Sequence, residues 1–266
     1  MIHKGNGSLN SKAIIRIECV TRRFSSTIAI DNVSLNVPRG SVFGLVGANG
    51  AGKTTLIRHV LGLLRAQTGR VRVFGLDPVD DPVAVLSRIG YLSEERDLPD
   101  WMRIDELLRY HRTFYPNWDD QFVEELLQTF ELDLSKKVKQ LSKGQRARAG
   151  LMIALAHRPE LLVLDEPSSG LDPIVRHDIL AAILRTISQE NRTALFSSHL
   201  LEEVERVCDH VAMIDQGEIV LRGQLDDVQA SCHCLTIRFD TPRSHAPAID
   251  GALAVSGSSH EWTALC

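Results

Sequence analysis

The sequence predicts an α/β fold: a parallel-sheet core carrying an N-terminal antiparallel β subdomain, a helical insertion and a short C-terminal β appendage. Three observations carry this expectation. The continuous apolar run 42–46 (VFGLV) leads directly into the glycine-rich stretch 47–55 (GANGAGKTT), and helical spacing follows over 56–64. Two further short apolar runs, 161–164 (LLVL) and 193–197 (TALFS), are separated by a helical stretch near 173–189. Strands alternating with helices in this way build a parallel sheet. From about residue 95 to 157 the pattern turns helical, which reads as an insertion into that alternation.

The remaining elements follow from local chemistry. Residues 13–20 (AIIRIECV) alternate as a strand, and 33–37 form a second strand ended by the turn Pro38-Arg39-Gly40. Within the insertion, 103–114 and 120–130 carry apolar residues three and four apart, with Pro116 as the breaker between them. Ser142 is placed to cap a helix over 143–156. After Asp226 the pattern changes to the strand-like CLTIRF and HEWTALC, joined by a stretch rich in Pro, Ser and Gly. The expected division is therefore a main domain over 14–225 and an appendage over 226–266, a segment too short for an independent core. That appendage reads equally as a β unit packed on the main domain or as part of a larger domain.

Bulk properties exclude several classes. The chain has 266 residues, 44% of them hydrophobic and 24% charged, as in an ordinary globular protein. A formal net charge of −4 offers no basic field for nucleic acid, so no nucleic-acid partner is expected. No apolar run approaches the roughly 18 residues needed to cross a bilayer. The first residues (MIHKGNGSLNSK) lack an apolar stretch and read as a short disordered lead-in, which predicts a cytoplasmic protein reaching a membrane only through a partner. Five scattered cysteines argue against a disulfide framework. Cys232-His233-Cys234 is spaced too tightly for a usual zinc pair, so no metal is expected there.

The glycine stretch carries the chemistry. Gly47, Gly50 and Gly52 let the backbone curl around phosphate oxygens with Asn49 and Ala51 between them. Lys53 brings a positive charge to the β- and γ-phosphates, Thr54 a hydroxyl for Mg²⁺, and the helix from Thr55 its positive end. A strand, this loop and a helix in succession make the core a P-loop NTPase, binding ATP with Mg²⁺. Asp165 and Glu166 end the strand LLVL at the sheet edge where ligands bind, and adjacent strand residues point opposite ways. Asp165 suits the Mg²⁺ shell; Glu166 suits a general base that poises water. His199 ends TALFSS at the same edge, within reach of a γ-phosphate.

Taken together, these residues resemble the ATP-binding subunits of ABC transporters over about 14–223. Residues 141–145 (LSKGQ) look like that family's signature sequence, and 168–173 (SSGLDP) like the loop after its catalytic glutamate. The resemblance implies an ATPase that works as a homodimer or beside a paired ATPase subunit, each ATP held between the glycine loop of one and the signature of the other. Ser142, Gly144 and Gln145 would then complete a partner's ATP site, and Asp172 would join the two sites. It also implies an integral membrane permease as partner, docked near Glu94 and the aromatics Tyr91, Trp101, Tyr115 and Trp118.

Two positions depart from the family pattern. Phe24 takes the place of the adenine-stacking aromatic, usually tyrosine; the alternative is an ordinary core Phe. In Ser93-Glu94-Glu95, Glu94, in preference to Glu95, occupies the place of a Mg²⁺-coordinating glutamine and adds negative charge beside ATP. Lys143 in the signature either approaches the γ-phosphate or points to solvent. The stretch FYPNWD is similar to subunits paired with exporter-type permeases, which makes export the expected direction. The rival reading is a soluble ABC ATPase acting on DNA, ribosomes or cofactor assembly. The heptad coiled coils or second cassette of such relatives are absent from the sequence.

Overall fold

The computed structural model describes residues 13–190, 192–231, 234–243, 247 and 254–265. The expected lead-in and the Cys232–His233 pair lie outside these residues. In chain order the elements are β1 (Ala13–Phe24), β2 (Thr27–Pro38), β3 (Val42–Val46), α1 (Lys53–Val60), β4 (Thr68–Val73), α2 (Pro82–Leu86), β5 (Ile89–Leu92), α3 (Ile104–Arg112), α4 (Asp120–Phe130), α5 (Lys143–Leu155), β6 (Leu161–Asp165), α6 (Pro173–Glu190), β7 (Thr193–Ser198), α7 (Leu201–Val207), β8 (His210–Asp215), β9 (Glu218–Gln224), α8 (Leu225–Ser231), β10 (Cys234–Arg243) and β11 (Ala254–Leu265). A single 3₁₀ turn, Val138–Gln140, precedes α5.

The backbone divides into two compact units, Met1–Arg222 and Gly223–Cys266. The first holds a six-stranded sheet in the order β5-β6-β7-β3-β8-β9, parallel from β5 through β8. Every residue of β3, β6 and β7 is buried, as expected for strands covered on both faces. That is why they read as continuous apolar runs and not as alternation. A three-stranded antiparallel sheet, β2-β1-β4, forms the N-terminal β subdomain. Its inward residues Ile15, Ile17, Val33, Leu35 and Val37 join Leu45, Leu56, Ile57 and Leu195 in one core. Burying such side chains contributes roughly 1.5–3 kcal/mol each before chain entropy is counted. In the second unit β10 and β11 pair as an antiparallel hairpin.

Several boundaries differ from the sequence expectation for physical reasons. The helix after the glycine loop begins at Lys53, one turn earlier than the apolar periodicity, because its first turn is spent on phosphate-loop residues. It ends at Val60, where Gly62 adopts φ +70° and an added Cβ would lie 2.2 Å from the Pro78 carbonyl oxygen. Residues 93–103 are turns and loop, so the insertion's first helix starts only at Ile104.

Among the described residues, no helix is long and apolar enough to cross a membrane. Cys19 is exposed and Cys208 buried, both as free thiols.

Candidate functional site

The glycine loop and the ends of β5 and β6 meet at one cavity of about 380 Å³. Asn49, Gly50, Gly52, Lys53, Thr54 and Thr55 line it together with Ala29, Glu94 and Glu166. The loop's glycines are required by the backbone. At Gly47 a Cβ would sit 2.3 Å from the Ile214 carbonyl oxygen; at Gly52, with φ +113°, it would sit 2.6 Å from that of Ala29. Ala51 is buried beneath the loop and its N–H donates to the Ala48 carbonyl, closing a turn.

Lys53 folds back over this loop. Its ammonium donates to the Gly47 carbonyl at 2.7 Å and the Ala48 carbonyl at 3.2 Å, and lies 3.0 Å from Glu166 Oε1. The opposite oxygen, Glu166 Oε2, is 2.8 Å from His199 Nδ1. Lys53, Glu166 and His199 thus form one chain of charge-assisted contacts across residues far apart in sequence.

Asp165 and Glu166 do diverge, but not by strand alternation. The strand ends at Asp165, and Glu166 adopts φ +48°, a left-handed conformation uncommon for a non-glycine residue. Its N–H donates to Ser197 Oγ at 3.0 Å, while that hydroxyl donates to Asp165 Oδ1 at 2.7 Å. One serine on β7 therefore sets both acids. Burial raises the Asp165 carboxyl above its usual range; hydrogen bonds from Ser197 and Thr54 oppose the rise, and the charges of Glu166 and Glu94 add to it. Asp165 bonded to the Thr54 hydroxyl is an oxygen pair that suits a hard divalent cation such as Mg²⁺, while among the described residues no three acidic, His or Cys side chains are grouped to hold a metal by themselves.

The loop after Glu166 is gripped from two sides. Ser168 Oγ donates to Glu203 Oε1 at 2.5 Å, and Ser198 Oγ donates to Glu203 Oε2 at 2.6 Å. Glu203, only 4% exposed, so joins this loop to the residue before His199. On the other side, Ser169 Oγ donates to Glu94 Oε1 at 3.2 Å. Glu203, Ser197 and Arg96 fall outside the residues that the sequence singles out. An acid in the first turn of a short helix reads as an ordinary dipole partner, and a serine inside an apolar strand carries no motif.

The remaining candidates stand apart from the cavity. Phe24 ends β1 with 42% exposure and its ring lies under the Arg22 guanidinium, 4.8 Å from the centroid, so it is not a core Phe. Ser142 and Gln145 form a reciprocal capping box: Gln145 N–H donates to Ser142 Oγ and Ser142 N–H to Gln145 Oε1, each at 3.1 Å. Gly144 lets α5 approach α6, where a Cβ would meet Val175 Cγ1 at 2.7 Å. Asp172 caps α6, its Oδ1 accepting from the N–H groups of Ile174 and Val175. Lys143 is exposed. None of these six positions lines the cavity.

Of the aromatics considered for docking, Tyr91 packs against the core and Tyr115 stacks on His157 at 3.8 Å, whereas Trp101 is 68% exposed.

Comparison with known proteins identifies the family and the fold. Residues 30–169 match the family described as ABC transporter. The ABC transporter ATP-binding protein NatA of Bacillus subtilis (strain 168) is 37% identical over 209 residues, 76% of this chain and 85% of that protein. The bacitracin transport ATP-binding protein BcrA of Bacillus licheniformis is 34% identical over 209 residues, 78% of this chain and 68% of that one. Among solved structures, an ATP binding subunit of an ABC transporter superposes with a TM-score of 0.73 at 28% identity, covering 82% of this chain and 92% of its own. The ADP conformation of MJ1267, an ATP-binding cassette of an ABC transporter, superposes with a TM-score of 0.67 at 28% identity, covering 82% and 93%.

Proposed function

This chain belongs to the ABC transporter ATP-binding family, and from that premise we propose that it acts as an ATP-closed dimer driving a separate membrane permease, in the export direction. Membership makes it an ATP-binding subunit and an ATPase. The observation that carries the mechanistic reading is the contact chain at the mouth of the glycine loop, in which the buried Lys53 and Glu166 pair and Glu166 reaches the more exposed His199.

In this reading ATP lies along the loop, its phosphates against the N–H groups of 47–54 and the N-terminus of α1, which favours negative charge. Lys53 Nζ exchanges its loop carbonyls and Glu166 for phosphate oxygens. Glu166, released from the lysine, accepts a proton from the water that attacks the γ-phosphorus, while the leaving β–γ bridging oxygen takes the electron pair to ADP. His199 holds Glu166 Oε2 through Nδ1. A neutral ring donating from Nδ1 presents Nε2 as an acceptor, so donation to the phosphate from Nε2 requires the doubly protonated ring. Thr54, Asp165 and Glu94 would hold Mg²⁺, which supplies charge neutralisation at the phosphates. Phe24, exposed at the end of β1, is the candidate stacking surface for adenine.

Dimerisation is supported by the residues that stand apart. Ser142, Gly144 and Gln145 present a helix N-terminus, and Asp172 adjoins it through Gly144 and Val175. In the dimer they would face the partner's nucleotide, since they do not line the chain's own cavity. With no helix able to span a membrane among the described residues, work on a membrane solute falls to a permease; the exposed Trp101 lies on the insertion that would dock it. The chain would then sit at the cytoplasmic face.

The test is affinity purification of the chain from its own cells in mild detergent. Recovery of a polytopic membrane subunit, with ATPase activity raised in the complex, supports the reading. A fully active dimer that never acquires a membrane partner contradicts it.

A further inference from the structure

Glu94 is the residue that departs from the family's glutamine, and its neighbour two positions on is unusual in its own right. Arg96 is 7% exposed and adopts φ +51°, a left-handed backbone held by its N–H donating to Ser93 Oγ at 3.1 Å. One terminal nitrogen of its guanidinium donates to two backbone carbonyls of the loop after Glu166, Pro167 at 2.9 Å and Ser169 at 2.8 Å. Its buried Nε has no hydrogen-bond partner.

A buried guanidinium bound only to neutral carbonyls is costly unless a negative charge lies near. Burial indeed weakens its hold on the proton, and the charge that opposes this is Glu94. Glu94 in turn accepts from Ser169 Oγ, on the same loop that Arg96 holds by its carbonyls. The turn 93–96 therefore clasps residues 167–169 with both charges at once.

We propose that Arg96 is a positioning residue for hydrolysis, acting together with Glu94 through the loop 167–169 that both of them hold. The clasp fixes the strained Glu166 backbone, so the turn that follows β5 and the loop that follows β6 move as one piece. This rests on the reading of Glu166 as the base. It adds that displacing the 93–96 turn displaces Glu166.

Full-length Arg96→Met, Glu94→Gln, the double variant and Ser169→Ala test this by steady-state ATPase kinetics, with Glu166→Gln assayed beside them. Misplacing a catalytic group by about 1 Å can cost on the order of 100-fold in rate. The expected result is a kcat at least about tenfold lower in Arg96→Met with KM for ATP nearly unchanged. Glu94→Gln should lower kcat in the wild-type background and have much less effect in the Arg96→Met background, since both residues act on the same loop. Ser169→Ala deletes one hydroxyl and keeps the test open if Arg96→Met does not fold; a several-fold lower kcat at constant KM is expected. An unchanged kcat in Arg96→Met overturns the proposal. So does a KM that rises in step with the loss of rate, or strict additivity of the two substitutions. If Ser169→Ala is the only soluble variant, an unchanged kcat there overturns it equally. Turnover retained in Glu166→Gln removes the base reading itself, whereas turnover lost there with Arg96→Met unaffected removes only this proposal.

Discussion

Lys53 Nζ and Glu166 Oε1 lie 3.0 Å apart with side chains 6% and 4% exposed, so the cation of the phosphate loop and the candidate base neutralise one another in the protein interior. Removing one member of a buried pair strands the other charge, at a cost of about 3–5 kcal/mol. The second contact of Glu166, to His199, softens that loss. Lys53→Ala should therefore lower stability by about 2 kcal/mol and abolish ATP binding. Urea unfolding and nucleotide titration check the two effects separately; normal ATP affinity would remove Lys53 from the site.

Asp165 gives a pH signature. Its folded pKa is raised, chiefly by burial, above that of the unfolded chain. A group of this sign contributes stability that is fully present below the unfolded pKa and is lost as pH rises through the folded value. Asp165→Asn should therefore gain stability relative to wild type as pH rises from the ordinary carboxylate range through that raised value, in the absence of divalent metal. Added Mg²⁺ should narrow the difference by stabilising only the wild type. Thermal melts across pH, with and without Mg²⁺, measure both; a difference that shrinks with rising pH contradicts the assignment.

Ser142 has two roles that one substitution can separate. Aspartate caps helices about as well as serine, whereas alanine costs about 1 kcal/mol. Ser142→Asp should leave stability within about 0.5 kcal/mol of wild type. In the proposed dimer the new charge would face the phosphates of the partner's nucleotide, and it should therefore block ATP-driven association. Chemical denaturation and size-exclusion chromatography with ATP report the two outcomes. Association undiminished by the aspartate would argue against a shared site.

Glu203 is buried while accepting from Ser168 and Ser198. Glu203→Leu strips both hydroxyls of their acceptor and should cost about 3 kcal/mol, measured by urea unfolding. Glu203→Gln keeps one acceptor and should be milder in stability while still reducing kcat, because the loop after Glu166 loses its tie to the residue before His199. An equal loss in both variants would point to the carboxylate charge, which both remove, and not to the two accepted hydrogen bonds.

Legibility in the sequence followed contiguity. The phosphate loop is a local device, and β3, β6 and β7 read clearly because full burial made them unbroken apolar runs. By contrast, β4 (TGRVRV) interleaves arginines with two buried valines, and β9 alternates with no buried residue at all. Neither offered a period-2 core face strong enough to read. Asp165, Glu166 and His199 were placed by their position at strand ends, but what holds them was not. Ser197 reaches both acids only because β6 and β7 are parallel neighbours in register, Asp165 opposite Ser197. The left-handed backbone of Glu166 and the reach of Arg96 to residues 167 and 169 are tertiary facts, with no residue pattern to announce them.

Glu166 is where the account is most exposed. The direct measurement is ATP turnover and ATP affinity of Glu166→Gln, with the oligomeric state followed in ATP. With Glu166 as the base, ATP binding should be retained, turnover reduced by on the order of 1000-fold, and an ATP-dependent dimer should persist because it cannot hydrolyse its way open. Wild-type turnover in that variant, with no dimer accumulating, would contradict it.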